Sequence, residues 1–434
     1  MLSRLFSTRI SIVCLVVWMV EFFHFDLLPV AIRRTYGNRL LAVIILFLFL
    51  YFIDKKKLKI KTLFNKRINK SLALLFVFAL INCFVCYHYR HQSIHVTLAC
   101  WSPIFMIFLY YPFRNMKLSL KDWERILYIL FMILIFIEIY MNLFPSSLLF
   151  GMTSSNEKFE EELRVRVFAD GILTLGNFYC LNKVFVCRRK TKYIFLYVLS
   201  LFLIFLTGFR AILLACIIVL LFMLYKFKLL KIKVFLIGSI SFILLSFVAL
   251  QTSIVQDRIQ EVVERNEHDN FENDDYIRVL LLSYYYSEYF KSKIEFFFGS
   301  GMVERITFDN SQSMAESSAY KSEYSKDVSS MSVNYHFFPK DMGLIGLSWE
   351  AGIPAVLSLL YIVVLLVITK TDKEYYYISA WGIYHILISP INPRLWDYHN
   401  MIYFTIVLVI LDKANFLWSQ VEYDVKKSNR QMNA

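Results

Sequence analysis

The sequence has 434 residues, of which 58% are hydrophobic and only 12 are glycine, with a formal net charge of +13. This composition excludes an ordinary soluble enzyme, because apolar stretches long enough to cross a hydrocarbon core of roughly 30 Å recur along the whole chain. The basic residues sit in short clusters between these stretches, which is typical of membrane proteins rather than of nucleic-acid binding.

The apolar stretches predict an all-α polytopic membrane protein with about twelve transmembrane helices, since lipid requires every backbone polar group to be paired internally. The predicted helices cover residues 10–30, 38–53, 71–89, 94–112, 126–144, 167–187, 193–207, 209–225, 234–252, 341–369, 375–390 and 401–417. The first is too long and carries too many ionisable groups to be a signal peptide, so we expect it to remain in the protein.

The placement of basic residues predicts the orientation. The densest cluster follows the second predicted helix and consists of Lys55, Lys56, Lys57, Lys59, Lys61, Lys66, Arg67 and Lys70. The positive-inside rule puts this cluster and both chain termini in the cytoplasm, where anionic lipid headgroups are expected to add to the anchoring. The inner segments are too short for a folded domain and contain no nucleotide-binding motif, so any substrate is expected from the membrane or the outer side.

The chain divides into three parts around one large loop. Residues 1–252 hold nine predicted helices, 253–340 form the outer (periplasmic) loop, and 341–434 hold three helices and a cytoplasmic tail. Within the loop, residues 277–298 are predicted as an amphipathic helix that lies on the membrane or caps the helix bundle. This helix ends at Gly299-Ser300-Gly301.

Arginines at predicted helix ends are the first candidate site residues. Arg210 follows a Thr207-Gly208 break in FLTGFRAILLA, and Arg164 and Arg166 precede the sixth predicted helix. Placing a charged Arg side chain near the bilayer boundary costs free energy unless the charge has a partner. These side chains therefore either reach the lipid headgroups or mark a functional site. For Arg166, an ion pair with Asp170 one turn later is an equally good interpretation.

Two residues of the loop complete the candidate site. Arg278 begins the loop's amphipathic helix, and His336 lies where the loop returns to the membrane. With Arg210 they are predicted to surround one outer cavity suited to a phosphate or pyrophosphate, because Arg binds phosphate in a bidentate manner and a neutral His accepts a proton from a hydroxyl.

Other patterns favour structural explanations. Cys83 and Cys86 form a CxxC inside an apolar run without a second pair, which favours helix packing over a metal or redox site. For Glu21 and Asp26, a structural role is favoured, and an acid–base or metal pair is the alternative. Interfacial positions are favoured over metal ligation for His88, His91 and His95.

The order of these segments resembles the O-antigen polymerase and ligase superfamily of bacterial inner-membrane glycosyltransferases, over roughly residues 160–370. The shared order is an Arg before a helix, a Thr-Gly-x-Arg break, and a long outer loop with an Arg-led helix ending in Gly-x-Gly. A His then stands shortly before the helix that begins DMGLIGLSWEAGI at residue 341.

The resemblance implies a donor oligosaccharide on a polyprenyl pyrophosphate and no metal, nucleotide or other cofactor. It implies that Arg210 and Arg278 hold the pyrophosphate and that His336 acts on the acceptor hydroxyl. Further implied substrate-binding residues are Arg164, Arg166, Arg258, Gly299 and Gly301. Membrane lipid and a chain-length regulator are the implied additional partners.

Three other functions remain open. Ligases of this superfamily commonly have Asn after the His, whereas this chain has Phe337, which favours a polymerase over transfer to lipid A core. A transporter or flippase is the alternative that uses intramembrane ionisable residues, but internal repeats are not found. A non-catalytic scaffold gives no reason for Arg to gather on one face. The residues that suit a transporter are Glu138, Asp170, Glu350 and His385.

Overall fold

The computed structural model describes residues 2–20, 63–144, 152–153, 165–166, 170–206, 210–229, 290, 292–302, 343–390, 396 and 398–432. These residues are predominantly helical. The α-helices are α1 (Leu2–Met19), α2 (Leu63–Arg90), α3 (Ile94–Cys100), α4 (Ser102–Phe105), α5 (Tyr110–Asn115), α6 (Leu120–Leu143), α7 (Asp170–Val186), α8 (Thr191–Leu206), α9 (Arg210–Lys226), α10 (Lys293–Phe298), α11 (Gly343–Ala351), α12 (Ile353–Ile368), α13 (Tyr376–Ile388) and α14 (Tyr398–Met432). Two 3-10 turns, Met106–Leu109 and Lys373–Tyr375, and an antiparallel pair of two-residue strands, β1 (Met152–Thr153) and β2 (Val165–Arg166), complete this part of the chain.

Within the described residues, three helices are long and apolar enough to cross a membrane, at Asn65–Arg90, Leu120–Leu143 and Asn400–Val421. The bent pair Ile94–Cys100 and Ser102–Asn115 raises this number to four if it counts as one span. Shorter apolar helices occur at Thr8–Met19, Thr191–Leu206, Ala211–Lys226 and Ile353–Ile368. The predicted helices 38–53 and 234–252 lie outside the described residues.

Two predicted helices are broken. The segment predicted as one helix over 94–112 bends by 60° between α3 and α4, where Pro103 stands at the start of the second piece. The helix predicted over 341–369 is interrupted at Gly352, whose positive φ of 88° does not fit an α-helix. Both predictions of a continuous helix are wrong, because apolar composition does not reveal a local change of backbone direction.

Other helix ends also differ from the prediction. α6 begins at Leu120 rather than 126, because Ser119 and Asp122 form a reciprocal capping box. α14 continues to Met432 rather than 417, beyond the apolar part that the prediction used. The described end of the amphipathic helix predicted over 277–298 is the separate short helix α10, because Ser292 is extended and caps α10 through the Glu295 N–H. Residues 277–289 lie outside the described part.

Contacts between the helices bring distant segments to two ends of the bundle, called the loop end and the basic end. The loop end holds Arg90, Gly171, Gly299, Ser389 and Asn400. The basic end holds Asn65, Lys183, Arg188, Glu374 and Asp412.

Hydrogen bonds fix each end. At the loop end, the Gly171 N–H donates to Asn400 Oδ1 at 3.1 Å, and the Leu344 N–H donates to the Ser389 carbonyl at 3.0 Å. At the basic end, Asn65 Nδ2 donates to Asp412 Oδ1 at 2.8 Å. The ring of Phe227, just after α9, lies 5.4 Å from that of Tyr376 at the basic end of α13, so α9 begins at the loop end.

Candidate functional site at the loop end

The predicted site arginines that the structure describes lie near the starts of helices. Arg210 is the first described residue of α9, and α8 ends at Leu206. Arg166 pairs with Met152 in the two-stranded ladder and precedes α7 by four residues. α7 and α9 both begin at the loop end, so the backbone brings these two segments to the same end of the bundle. Arg164, Arg258, Arg278 and His336 lie outside the described residues, and their roles stay predictions.

The Gly299-Ser300-Gly301 turn docks against α11 and α12. The Ser300 N–H donates to the Trp349 carbonyl at 2.7 Å, and the Gly301 N–H donates to the Glu350 carbonyl at 3.1 Å. Gly299 and Gly352 have φ values of 84° and 88°, and a Cβ on either would overlap the backbone of the opposite segment. Gly301 packs on the side chain of Cys86, which a Cβ at 301 would overlap. In this arrangement the two predicted substrate-binding glycines contact protein, and they hold the returning loop on the bundle.

Asn82 is the residue on which three segments converge. Its Nδ2 donates to the Phe298 carbonyl at 2.7 Å and to the Glu350 carbonyl at 2.8 Å. Its Oδ1 accepts a hydrogen bond from Trp101 Nε1 at 3.0 Å, at the bend between α3 and α4. Asn82 is fully buried, so a single amide joins α2 to the bent span, to the end of α10 and to the break before α12.

A buried ion pair adds to this docking. Arg90 Nε donates to Glu295 Oε1 at 2.5 Å, and both side chains are almost completely buried. Nearby, Gln92 Nε2 donates to the Met302 carbonyl at 3.1 Å and to Thr97 Oγ1 at 2.8 Å. The sequence analysis did not find Asn82, Arg90 or Glu295. The sequence pointed to these residues only weakly. Asn82 is a polar residue inside an apolar helix, and Glu295 is a charged residue next to an aromatic run.

The basic end holds a second set of buried polar groups. Asp412 accepts from Arg114 Nε at 2.7 Å and from Asn65, while the Tyr110 hydroxyl donates to Asn65 Oδ1 at 2.8 Å. These bonds join α2, α5 and α14. The described atoms of this cluster are bonded to one another, so its geometry supports a structural role.

A narrow cleft lies between α6, α7 and α13. Glu124 stands at its basic end, where Lys183 Nζ and the Tyr377 hydroxyl each donate to its Oε1 at 3.5 Å. Tyr128 and Tyr179 also contribute to the lining, and the remaining walls are mostly apolar. Because the Glu124–Lys183 pair neutralises itself, the cleft offers no net charge for a phosphorylated ligand, in contrast to the Arg-bearing loop end.

The candidate metal ligands of the sequence do not form a site in the described part of the chain. There, no group of three His, Cys, Asp or Glu side chains is arranged to hold a metal ion. His88 lies at the end of α2 with its ring 4.8 Å from that of Tyr89, and His91 adopts a positive φ of 56°. Cys83 and Cys86 are buried and free, which agrees with the packing interpretation. Glu21 and Asp26 lie outside the described residues.

The described part of the chain is predominantly helical, and three or four of its helices are long and apolar enough to span a membrane. A loop segment is docked at one end of the bundle. Comparison with protein-family models, with curated proteins and with solved structures finds no match to this chain. A more specific function therefore rests on the residues themselves.

Proposed function

We propose that this protein is a glycosyltransferase of the bacterial inner membrane that polymerises polyprenyl-pyrophosphate-linked oligosaccharide repeat units of O-antigen or capsule. One observation supports the proposal above the others. Arg166, Arg210 and the Gly299–Gly301 turn are far apart in the sequence, yet their backbones lie at the same end of the helix bundle. This is the order and the placement that the resemblance to the polymerase and ligase superfamily requires.

The proposed topology has about twelve spans, with both termini in the cytoplasm and the loop end at the outer face. Exposed Arg188, Arg189 and Lys190 between α7 and α8 lie at the opposite end, which agrees with the positive-inside rule. The donor lipid then reaches the loop end from the outer leaflet. The predicted inner segments are short, and the proposed reaction consumes no nucleotide.

The proposed chemistry is the attack of an acceptor sugar hydroxyl on the anomeric carbon of the donor, with departure of the lipid pyrophosphate. Negative charge builds on the leaving oxygens, and fixed guanidinium groups of Arg210 and Arg278 stabilise the transition state more than the ground state. His336 takes the proton of the attacking hydroxyl. Arg166 contributes to binding of the donor glycan.

The test is the glycan ladder on a gel from cells that carry single substitutions at matched expression. Arg210→Ala and Arg278→Ala are expected to remove long chains, because loss of one such group typically costs on the order of a hundredfold in rate. Arg210→Lys is expected to restore only part of the activity, since Lys lacks the planar fork of donors.

Arg188→Ala is the matched control, because Arg188 is exposed at the basic end and should leave the ladder unchanged. Long ladders from both Arg210→Ala and Arg278→Ala would refute the proposed pyrophosphate site. Long ladders from His336→Ala alone would retain that site and assign the base to another residue, with Asp341 or Glu21 as the next candidates. Glycan attached to lipid A core without chain extension would instead indicate the ligase.

A lipid-linked glycan flippase is the second candidate. Two observations favour it. The α3–α4 span and the chain at Gly352 are broken, and broken helices are common in transporters. The ionisable residues Glu138, Glu350 and His385 are also buried within the bundle. A flippase is expected to move labelled lipid-linked repeat units across liposomes without elongating them. Elongation of these units by the purified protein would exclude a pure transport function.

A further inference from the structure

One face of α13 and its C-cap carries three buried side chains whose polar atoms have no hydrogen-bond partner in the described part of the chain. Trp381, His385 and Ser389 follow one another at intervals of four residues, so they lie on the same side of the helix. All three are at most 3% exposed. Among the described residues, Trp381 Nε1, His385 Nε2 and Ser389 Oγ have no hydrogen-bond partner.

The three side chains form a continuous stripe that starts at the loop end. The Ser389 N–H donates to the His385 carbonyl at 2.9 Å, and Ser389 keeps helical dihedral angles, so the helical spacing extends to it. The rings of Trp381 and His385 are 4.3 Å apart and nearly perpendicular. From Ser389 the stripe runs over eight residues, roughly 12 Å, into the bundle.

Burying these three polar groups without partners costs free energy, because apolar neighbours form no hydrogen bonds with them. A buried polar group without a partner costs about 1–3 kcal/mol, and proteins normally satisfy it with another group or with water. Unpaired buried atoms elsewhere in the described part, such as Trp123 Nε1 and Asn177 Oδ1, lie on different helices. Only on α13 do three of them follow one another along a single face.

We propose that Trp381, His385 and Ser389 line a narrow file of water molecules that enters the bundle from the loop end. The indole N–H donates, the hydroxyl donates and accepts, and a neutral imidazole nitrogen does one or the other, so water satisfies all three. The rings of Trp381 and His385 contact each other directly, so the water molecules lie beside the stripe and bind its unpaired nitrogen and oxygen atoms in turn. This inference does not depend on glycosyl transfer.

The first test is hydroxyl-radical footprinting of the unmodified protein in lipid nanodiscs, where side chains beside bound water are oxidised. Trp101 is the matched control, because it is as fully buried as Trp381 but its Nε1 donates to Asn82. Trp381 is expected to be oxidised several times faster than Trp101. An equal or slower rate at Trp381 overturns the proposal.

The second test uses cysteine variants in the same nanodiscs and a small cationic methanethiosulfonate, with the unmodified chain as background for the native thiols. Ser389→Cys is expected to react at least tenfold faster than Ile388→Cys, which lies at the same depth on another face and is also buried. Ser379→Cys controls for chemistry, because the Ser379 hydroxyl is buried but donates to the Leu366 carbonyl. Equal rates for Ser389→Cys and Ile388→Cys overturn the proposal.

Discussion

Single buried polar residues determine where the returning loop segment attaches. Arg90 ends α2 and Glu295 lies in the first turn of α10, and their ion pair is almost completely removed from solvent. Burial of either charge alone is expensive, whereas the pair offsets much of this cost through Coulomb attraction and hydrogen bonding. The pair therefore favours one position of α10 over others on the same apolar surface.

We predict that Arg90→Ala lowers the free energy of unfolding by about 3–5 kcal/mol, because it leaves Glu295 as a buried carboxylate without its guanidinium partner. The double variant Arg90→Met with Glu295→Leu is expected to be more stable than Arg90→Ala, since it removes both charges. Thermal unfolding in detergent, followed by size-exclusion chromatography, measures both effects. A double variant less stable than Arg90→Ala would contradict the prediction.

Helix breaks determine how the elements at the loop end fit together. α11 is held at both of its ends. At its start, the Leu344 N–H donates to the Ser389 carbonyl at the end of α13, and just after its last residue Gly352 contacts Gly299 at the end of α10. Such a path requires the chain to turn sharply at Gly352 before α12 begins. The positive φ and the close backbone approach at this position both require glycine.

Gly352→Ala is therefore expected to destabilise the protein more strongly than Gly382→Ala. A Cβ at 352 meets backbone atoms of Phe298, which cannot move without displacing α10, whereas a Cβ at 382 meets mainly the side chains of Leu366 and Val367 within a regular helix. The unfolding temperatures of the two variants, measured side by side, test the order. Equal temperatures would show that the turn at Gly352 tolerates a side chain.

At the scale of the whole molecule, the contacts between helices separate two chemically different ends. The loop end collects Arg166, Arg210 and the docked turn, and the basic end collects the short Lys- and Arg-rich connections. If the helices cross a membrane, the two ends face different compartments. The proposed outer site depends on this separation.

Cysteines at Lys293 and Lys190 are expected to react with an impermeant thiol reagent from opposite sides of the membrane. Both lysines are exposed, Lys293 at the loop end and Lys190 at the basic end, so they form a matched pair. In intact cells, Lys293→Cys is expected to be labelled directly and Lys190→Cys only after the membrane is permeabilised. Direct labelling of both, or of Lys190→Cys alone, would contradict the proposed orientation and with it the outer active site.

The sequence by itself determined the helical character of the chain, the positions of most described helices and the placement of Arg210 at a helix start. These follow from local properties, namely the length of the apolar runs and the position of the Thr207-Gly208 pair in the sequence. Only the tertiary structure decided the bends at Trp101 and Gly352, the partners of Asn82 and the pairing of Arg90 with Glu295. The bonds of Asn82 to Phe298 and Glu350, like the Arg90–Glu295 pair, join residues about two hundred or more positions apart. The turn at Gly352 needs a backbone approach that only glycine permits, and the bend at Trp101 is a local change of direction within one apolar run. None of these features leaves a periodic signal in the sequence.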